Sequence, residues 1–341
     1  MYHELPKRGT RLKEQSTEAL WYVAAGRAEL RPESVPAPAA GEVEVRSLFG
    51  AVSRGTERLV FEGRVPASQY QRMRAPHMGG AFPFPAKYGY ATVGRVAGGS
   101  GELAGRVVFA LHPHQRVFTL PVSAVVPVPR DVPPARAVLA ANMETALNAV
   151  WDGAPGPADR IAVVGGGVVG LLVARLCSRL PGAEVTVIDV APSRREIAQT
   201  LGAAFAPPSD APHDCDLVFH ASASASGLAT ALASAGQEAA IVEMSWYGAD
   251  EVTAPLGEAF HSRRLRLLAS QVGEVAPSHR PRWERSRRLA AALDLLADPA
   301  LDALLAPAVL FADLPQRLPE ILRAQGDARC PVIDYGSSGT H

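Results

Sequence analysis

The stretch RIAVVGGGVVGLL, residues 160–172, joins a run of apolar residues to three spaced glycines and then to a second apolar run. The first run has the composition of a buried strand, and the second has that of a helix. Gly165 would allow a tight turn, Gly167 would let a ligand approach the backbone, and Gly170 would let helix and strand pack closely. A helix N-terminus at this point offers N–H donors to an anion. The stretch therefore predicts a dinucleotide site with the diphosphate at the turn.

The residues that follow bear on which dinucleotide binds. Val168 and Val169 begin the helix whose N–H groups would face the diphosphate. Asp189 ends the next apolar strand, about 20 residues downstream, where a carboxylate binds ribose hydroxyls and repels a 2′-phosphate. Arg194 could instead accept a 2′-phosphate, or it could begin a helix in water together with Arg195. The pattern favours NAD and leaves NADP open.

The middle of the chain alternates apolar strands with helices. After the glycine turn come AEVTVIDV, SRREIAQTLGA, CDLVFHAS, SGLATALASAG and QEAAIVEMSW. This alternation predicts an α/β protein with a doubly wound parallel sheet. Residues 1–130 contain short strands separated by Gly and Pro, which is typical of a compact β-barrel. The closing strand CPVIDY is expected to return to that β unit.

Composition indicates a globular protein and argues against several kinds of partner. Lys plus Arg and Asp plus Glu number 34 each, so no net field attracts nucleic acid or an anionic membrane. We find neither a signal peptide nor an apolar run of spanning length, and a cytoplasmic location is expected. The three cysteines are too far apart for a metal-binding motif. The arginines around Arg288 predict a solvated basic helix face that also holds Glu284.

The order of these features resembles that of the medium-chain dehydrogenase/reductase superfamily over nearly the whole chain. The segment SRGTE, residues 53–57, resembles the SxGTE loop of a zinc-lacking branch that includes bacteriochlorophyllide dehydrogenase-like proteins. The resemblance implies a GroES-like β-barrel catalytic domain, residues 1–142 and 272–341. It implies a Rossmann dinucleotide-binding domain over residues 143–271, and a homodimer.

Three positions that hold catalytic zinc in the zinc enzymes carry other residues in this chain. Ser53 stands where the resemblance places a cysteine, Tyr90 where it places a histidine, and Ala141 where it places the third ligand. The four-cysteine lobe that binds structural zinc is also missing. Because Zn²⁺ needs thiolate, imidazole or carboxylate ligands, the resemblance implies an enzyme without zinc and with no metal ligands.

Without a metal, side chains must stabilise the oxygen anion that forms during hydride transfer. Ser53 and Thr56 match the loop that carries the relay hydroxyl, and Tyr90 could hydrogen-bond or protonate an alkoxide. His112 matches a substrate-pocket position and could titrate near neutral pH. Glu144 is a further candidate acid, since burial would raise its pKa.

Each of these candidates has a purely structural alternative. Tyr90 could fill the space of the absent ligand, and the hydroxyls of the 53–57 loop could serve its turn. His112 and His114 could lie in a hydrated loop. Glu57 is expected to anchor its loop, through Arg54 or another arginine, and Glu144 could form a salt bridge with Arg54.

Four further residues are candidates for cofactor contacts. Thr145 matches the threonine that packs on the nicotinamide in the zinc enzymes. Ser222, Ser245 and Ser270 follow strands of the doubly wound unit, at the sheet edge where ligands bind. His220, which ends the strand CDLVFH, is expected to lie near the adenine or to be packed in the interior.

The resemblance and these residues together predict a zinc-independent oxidoreductase that moves hydride between NAD(P) and a secondary alcohol or ketone, or a related C=O or C=N group, of a specialised metabolite. Alternatives are an NADPH-dependent enoyl or quinone reductase and a dinucleotide-binding protein without catalysis. Arg64, Tyr70, Arg72 and Arg74 hint at a polar or anionic small-molecule substrate, although solvated arginines would look the same.

Overall fold

The computed structural model describes residues 15–99, 101–323 and 327–336. The ends of the predicted catalytic domain, residues 1–14 and 337–341, lie outside the described residues. Within them the strands are β1 Gln15–Ala24, β2 Arg27–Val35, β3 Glu42–Ala51, β4 Gly79–Gly80, β5 Ala86–Lys87, β6 Thr92–Gly99, β7 Val107–Ala110, β8 Val117–Pro121, β9 Val125–Pro127, β10 Arg160–Val164, β11 Glu184–Ile188, β12 Ala204–Ala206, β13 Cys215–His220, β14 Ala235–Glu243, β15 Arg266–Ala269, β16 Val309–Leu310 and β17 Val332–Asp334.

The α-helices of the same residues alternate with the strands through the middle of the chain. They are α1 Arg54–Phe61, α2 Pro134–Ala137, α3 Ala140–Gly153, α4 Val168–Cys177, α5 Arg195–Thr200, α6 Ala225–Ser234, α7 Glu258–Ser262, α8 Arg285–Leu295 and α9 Leu314–Arg323. Among these helices, none is long and apolar enough to cross a bilayer.

The central sheet is parallel and has the strand order β12-β11-β10-β13-β14-β15. Helices cover both of its faces, which is why β10 and the strands beside it are mostly apolar and buried. Ile161 and Val163 pack in the same core as residues of α3 and α4, whereas Ala162 and Val164 pack in the core that contains residues of α6. The predicted doubly wound sheet is therefore confirmed.

Two further sheets form the β-rich unit. One has the order β2-β1-β5-β4, and the other has the order β16-β17-β3-β6-β7-β9, with β8 also pairing with β3. The closing strand β17 pairs antiparallel with β3, so the chain returns to the first unit as expected. It lies between β3 and β16 rather than at the outer edge of the sheet.

Several elements differ from the sequence-based prediction. The SRGTE segment was expected to be a loop, but only Ser53 precedes helix α1, which already begins at Arg54. The strands β2, β12 and β15 were not predicted. β12 and β15 have three and four residues, too few to show a pattern. β2 contains Pro32 and four charged residues, which weaken a strand prediction.

Candidate active site

The glycine turn has the geometry that its spacing predicts. Gly165 has a φ of +107°, and a Cβ there would lie 2.7 Å from the backbone nitrogen of Ser222. A Cβ on Gly170 would lie 1.9 Å from the carbonyl oxygen of Gly165. A Cβ on Gly167, which precedes α4, would meet no heavy atom of the described residues within 4 Å. Gly165 and Gly170 therefore permit close packing, whereas Gly167 leaves open backbone at the N-terminus of α4.

Asp189 is bound to this turn. Its Oδ2 accepts a hydrogen bond from the backbone N–H of Gly166 at 2.7 Å, and its Oδ1 accepts one from Ala191 at 2.9 Å. Arg194 is half-buried and forms an ion pair with the same carboxylate, so it is not the solvated residue of the one alternative, whereas Arg195 is exposed and begins α5 as that alternative expected. Arg195 also lies over the ring of Phe205, 4.7 Å from its centroid.

Arg54 was not predicted as a site residue, but its guanidinium is near those of Arg194 and Arg329, and Arg194 lies beside the glycine turn. Its Nε donates to the carbonyl of Ile321 at 3.0 Å, and its Nη1 donates to the carbonyls of Asp327 and Arg329. Burial lowers the pKa of Arg54, and the neighbouring guanidinium groups of Arg194 and Arg329 lower it further, against Asp327. Helical spacing alone gave no signal for this basic cluster, because its members are distant in sequence.

The hydroxyls of Ser53 and Thr56 lie near the phenol of Tyr90. Burial raises the pKa of Tyr90 to about 12, although these two hydroxyls act in the opposite direction. The phenol therefore keeps its proton at neutral pH and can donate a hydrogen bond. The structure brings together these three residues, whose roles remain predictions.

Glu57 anchors the start of helix α1, but Arg54 is not among the partners through which it does so. Its carboxylate is fully buried and accepts hydrogen bonds from the Tyr22 hydroxyl at 2.6 Å and from the backbone N–H of Ser53 at 2.8 Å. The Nε2 of His114 lies 2.9 Å from the same carboxylate. A Cβ on Gly89 would lie 2.7 Å from this nitrogen, so the glycine before Tyr90 makes room for the imidazole.

His112 and His114 are buried, so the alternative of a hydrated loop was wrong. The ring of His112 stacks on Phe118, with 3.8 Å between centroids, and its Nδ1 lies 2.9 Å from the carbonyl of Pro113. Burial lowers the pKa of His112 to about 3. The imidazole is therefore neutral at neutral pH, and the expectation that it titrates in that range was wrong.

Helix α3 carries a buried polar network that the sequence did not reveal. Glu144 accepts a hydrogen bond at 3.0 Å from Arg288, which is 1% exposed and also donates to Asn148. Arg288 is thus no part of a solvated face, and the partner of Glu144 is not Arg54. Burial raises the pKa of Glu144, against the opposing charge of Arg288.

The hydroxyls of Thr145 and Ser270 also form hydrogen bonds with residues of α3. Thr145 donates to the carbonyl of Ala141 at 3.0 Å, and Ser270 donates to Asp152 near the end of α3 at 2.7 Å. Both bonds lie within the protein. Contacts of Thr145 and Ser270 with a cofactor stay a prediction.

A second polar network joins the carboxyl ends of β13 and β14. The two ring nitrogens of His220 lie 2.7 Å from Glu243 Oε2 and 2.7 Å from Ser222 Oγ. Glu243 also accepts hydrogen bonds from the backbone N–H of Ser245 at 2.7 Å and from the Tyr247 hydroxyl at 3.1 Å. Since Ser222 borders Gly165, this network adjoins the glycine turn. His220 is packed in the interior, which was one of the two alternatives predicted for it.

Two arginines of the 62–86 segment, Arg64 and Arg74, have protein partners. Arg64 contacts Asp250 through two hydrogen bonds of 3.0 and 3.2 Å, which join the β-rich unit to the parallel-sheet unit. Arg74 donates to the carbonyls of Met78 and Gly80. These contacts do not support the expectation that Arg64 and Arg74 bind an anionic substrate.

At the three positions matched to the zinc ligands, Ser53 offers a hydroxyl, Tyr90 a phenol and Ala141 a methyl group. Over residues 15–99, 101–323 and 327–336, we find no cluster of three or more His, Cys, Asp or Glu side chains that could hold a metal ion. Cys330 adjoins Tyr90 and Arg54, but burial raises the pKa of its thiol to about 12. These residues do not fit a zinc ion, whereas the glycine turn, with the N-terminus of α4 and Arg194 beside it, fits a diphosphate.

Comparison with known proteins gives one family match and many similar structures. The model of the alanine dehydrogenase/PNT C-terminal domain matches residues 140–242. L-idonate 5-dehydrogenase from Escherichia coli K-12 is 16% identical with a TM-score of 0.78, and the match covers 96% of this chain and 100% of that one. An alcohol dehydrogenase from E. coli CFT073, complexed with the cofactor NADH, is 16% identical with a TM-score of 0.74, covering 94% and 99%.

A third structure, 2R,3R-butanediol dehydrogenase from Bacillus subtilis, is 14% identical with a TM-score of 0.74, and the match covers 94% of this chain and 100% of that one. At such low sequence identities, the structural similarity establishes the fold alone. It spans both sheet systems, so the predicted combination of two domains is confirmed. The chain therefore has the fold of the medium-chain dehydrogenases, a GroES-like β-barrel unit joined to a Rossmann unit.

Proposed function

We propose that this protein is a metal-independent oxidoreductase that transfers hydride between NAD(H) and a secondary alcohol or ketone, or a related C=O or C=N group. The observation that carries this proposal is the open backbone at Gly167, at the N-terminus of α4 and next to Gly166, where a Cβ would lie 3.2 Å from Cδ of Arg194. Helix N–H groups and nearby guanidinium groups both stabilise a diphosphate. Structures of the same fold include an alcohol dehydrogenase complexed with NADH.

The bound dinucleotide would supply or accept the hydride, and the residues of this chain handle the oxygen and its proton. Tyr90 is the donor that faces the developing negative charge, since its phenol remains protonated. Ser53 and Thr56 orient the phenol and offer a route for its proton. Glu57 fixes this arrangement, because it holds the Ser53 backbone and has two further buried partners.

NAD is the cofactor we propose in preference to NADP. Asp189 lies at the end of β11 and is held by the N–H groups of Gly166 and Ala191. A carboxylate at this place binds ribose hydroxyls and repels a 2′-phosphate. Arg194 offsets part of that repulsion through its ion pair with Asp189, so the expected preference for NADH over NADPH is moderate.

The absence of a catalytic metal is likewise a proposal. It is supported by the chemistry of Ser53, Tyr90 and Ala141 at the three matched positions, because none supplies a ligand of the kind that Zn²⁺ prefers. The substrate is proposed to be a small molecule, in line with the specialised metabolite expected from the resemblance.

A titration of the purified protein with NADH and with NADPH tests the cofactor assignment. Quenching of protein fluorescence should saturate with both, with NADH bound about tenfold more tightly. Tighter binding of NADPH, together with reduction of enones or quinones, would favour the alternative reductase. Saturable binding with no turnover across a panel of alcohols, ketones and imines would instead favour a non-catalytic dinucleotide-binding protein.

A further inference from the structure

The network at the ends of β13 and β14 contains a buried pair of ionisable groups that the proposed hydride transfer does not use. His220 is 0% exposed, and its Nδ1 lies 2.7 Å from Oε2 of Glu243. Burial alone would raise the pKa of Glu243, but the bonds from His220 and Ser245 outweigh it and hold this pKa below its usual range. Glu243 is therefore ionised at neutral pH, and Nδ1 of His220 donates to it.

The rest of the network accommodates a second proton on His220. Its Nε2 faces the Ser222 hydroxyl at 2.7 Å, and a hydroxyl oxygen can accept a hydrogen bond. Ser222 in turn lies 3.0 Å from Ser224 Oγ, which accepts from the N–H of Gly227 at the start of α6. Both ring nitrogens therefore have a partner that can accept a hydrogen bond, so the geometry allows an imidazolium beside the carboxylate.

The strand order places this pair under one half of the dinucleotide. In the order β12-β11-β10-β13-β14-β15, the direction of winding reverses between β10 and β13. A dinucleotide bound at the glycine turn would lie across this point, with its adenosine ribose on the β11 side, where Asp189 is. Its nicotinamide half would then lie over the ends of β13 and β14, which carry His220 and Glu243.

The two forms of the nicotinamide ring differ in charge, since the oxidised ring carries one positive charge and the reduced ring carries none. A buried carboxylate near the ring stabilises the oxidised form, and a buried imidazolium opposes it. We propose that the His220–Glu243 pair sets the relative affinity of this protein for NAD⁺ and NADH through the balance of its two charges. This inference rests on the proposed function, because it presumes dinucleotide binding at the glycine turn.

Two single substitutions shift this balance in opposite directions. His220→Gln removes the positive charge and leaves the carboxylate, so NAD⁺ should gain relative to NADH. Glu243→Gln removes the negative charge and keeps an acceptor for Nδ1–H, so NADH should gain. The ratio of the dissociation constants of NAD⁺ and NADH should change on the order of fivefold in each case, the size expected for coupled, partly buried charges. The double variant should return the ratio close to that of the wild type.

The experiment measures NAD⁺ binding by calorimetry and NADH binding by fluorescence, for each variant at pH 7. Tyr247→Phe is the matched control within the network, because it removes the 3.1 Å hydrogen bond to Glu243 without changing charge. His213→Gln is the control outside it, because this exposed imidazole precedes β13 and lies at the other end of that strand. Neither control should change the ratio by more than about twofold.

The outcomes separate this inference from the proposed function. If the wild type binds neither NAD⁺ nor NADH, the proposed function fails and the inference fails with it. If the wild type binds both, but the two charge variants weaken them equally or shift the ratio in the same direction, the pair is structural only and the inference is overturned. Should His220→Gln not fold, Glu243→Gln decides alone, since its ratio must move towards NADH.

Discussion

Tyr90 is the residue on which the proposed chemistry depends most. The hydroxyls of Ser53 and Thr56 lie near its phenol, and burial raises its pKa to about 12. We expect Tyr90→Phe to lower kcat by about 100-fold with a smaller change in KM, because the lost hydroxyl acts mainly on the charged transition state. Steady-state kinetics with the best alcohol or ketone substrate measures this effect.

Tyr88→Phe is the matched control for this substitution. Tyr88 adjoins Tyr90, with 6.1 Å between ring centroids, but its hydroxyl donates to the carbonyl of Met73. Its loss should change kcat by less than about threefold. Equal losses in the two variants would contradict the assignment of Tyr90 as the donor.

Arg288 makes a testable contribution to stability because it neutralises Glu144 in the interior. Arg288→Leu leaves a buried carboxylate without its partner, so we expect the free energy of unfolding to fall by about 3–5 kcal/mol. The double variant Arg288→Leu with Glu144→Leu should recover at least half of that loss. Urea denaturation measures both values, and an equal loss in the single and double variants would show that burial of charge is not the cause.

At the scale of single elements, two glycines near the turn between β10 and α4 have different roles, one in packing and the other in ligand binding. Gly170→Ala places a Cβ 1.9 Å from the carbonyl of Gly165, so it should destabilise the free protein by about 2 kcal/mol or more. Gly167→Ala places a Cβ in open space, so it should leave Tm nearly unchanged. The same Cβ would occupy the path of the diphosphate, and NADH affinity should fall at least about tenfold.

Calorimetric Tm values and NADH titrations of the two glycine variants are compared with those of the wild type. A Gly167→Ala protein that binds NADH with wild-type affinity would exclude a diphosphate at this turn. A Gly170→Ala protein of unchanged stability would show that the helix can shift away from the strand at little cost.

The sequence predicted those elements in which each residue's environment follows from its neighbours in the chain. The glycine spacing and the apolar runs identified β10 and α4, because both depend on local backbone geometry and on burial of whole strands. Helix α8 was also predicted, but the environment of Arg288 was not. Its partner Glu144 lies on another helix, and charge spacing along α8 cannot reveal it.

The candidate site divides in the same way. Asp189 and the glycines were found because their spacing reflects a single βαβ unit. Glu57 and His114 come together only through tertiary packing. The partners of Arg54 are backbone carbonyls of residues 321–329, whereas the sequence assigned it other partners. Burial also determines the charge state of His112. No local sequence pattern predicts that a polar residue will be buried between prolines and aromatic rings.

At the scale of the whole molecule, the expected homodimer has a specific candidate interface. Strand β15 is the outer strand of the parallel sheet, and all four of its residues are exposed, with Leu267 at 40% and Leu268 at 36%. An exposed apolar edge strand is suited to pairing with the same strand of a second copy. We expect light scattering to give twice the chain mass of 35.9 kDa.

Leu267→Lys tests this interface, since a charge there opposes burial and should yield a monomer. Leu310→Lys, at an exposed position on β16, serves as the control and should remain a dimer. A wild-type protein that is monomeric at all concentrations measured would contradict the expected dimer.

The central claim is that side chains of this protein, without a metal ion, stabilise the oxygen anion during hydride transfer. The most direct test follows nicotinamide absorbance during turnover by protein that has been treated with a chelator, with bound metals quantified by elemental analysis of the same sample. We expect undiminished turnover with far less than one metal ion per chain. A stoichiometric transition metal, whose removal abolishes turnover and whose return restores it, would contradict catalysis by side chains alone.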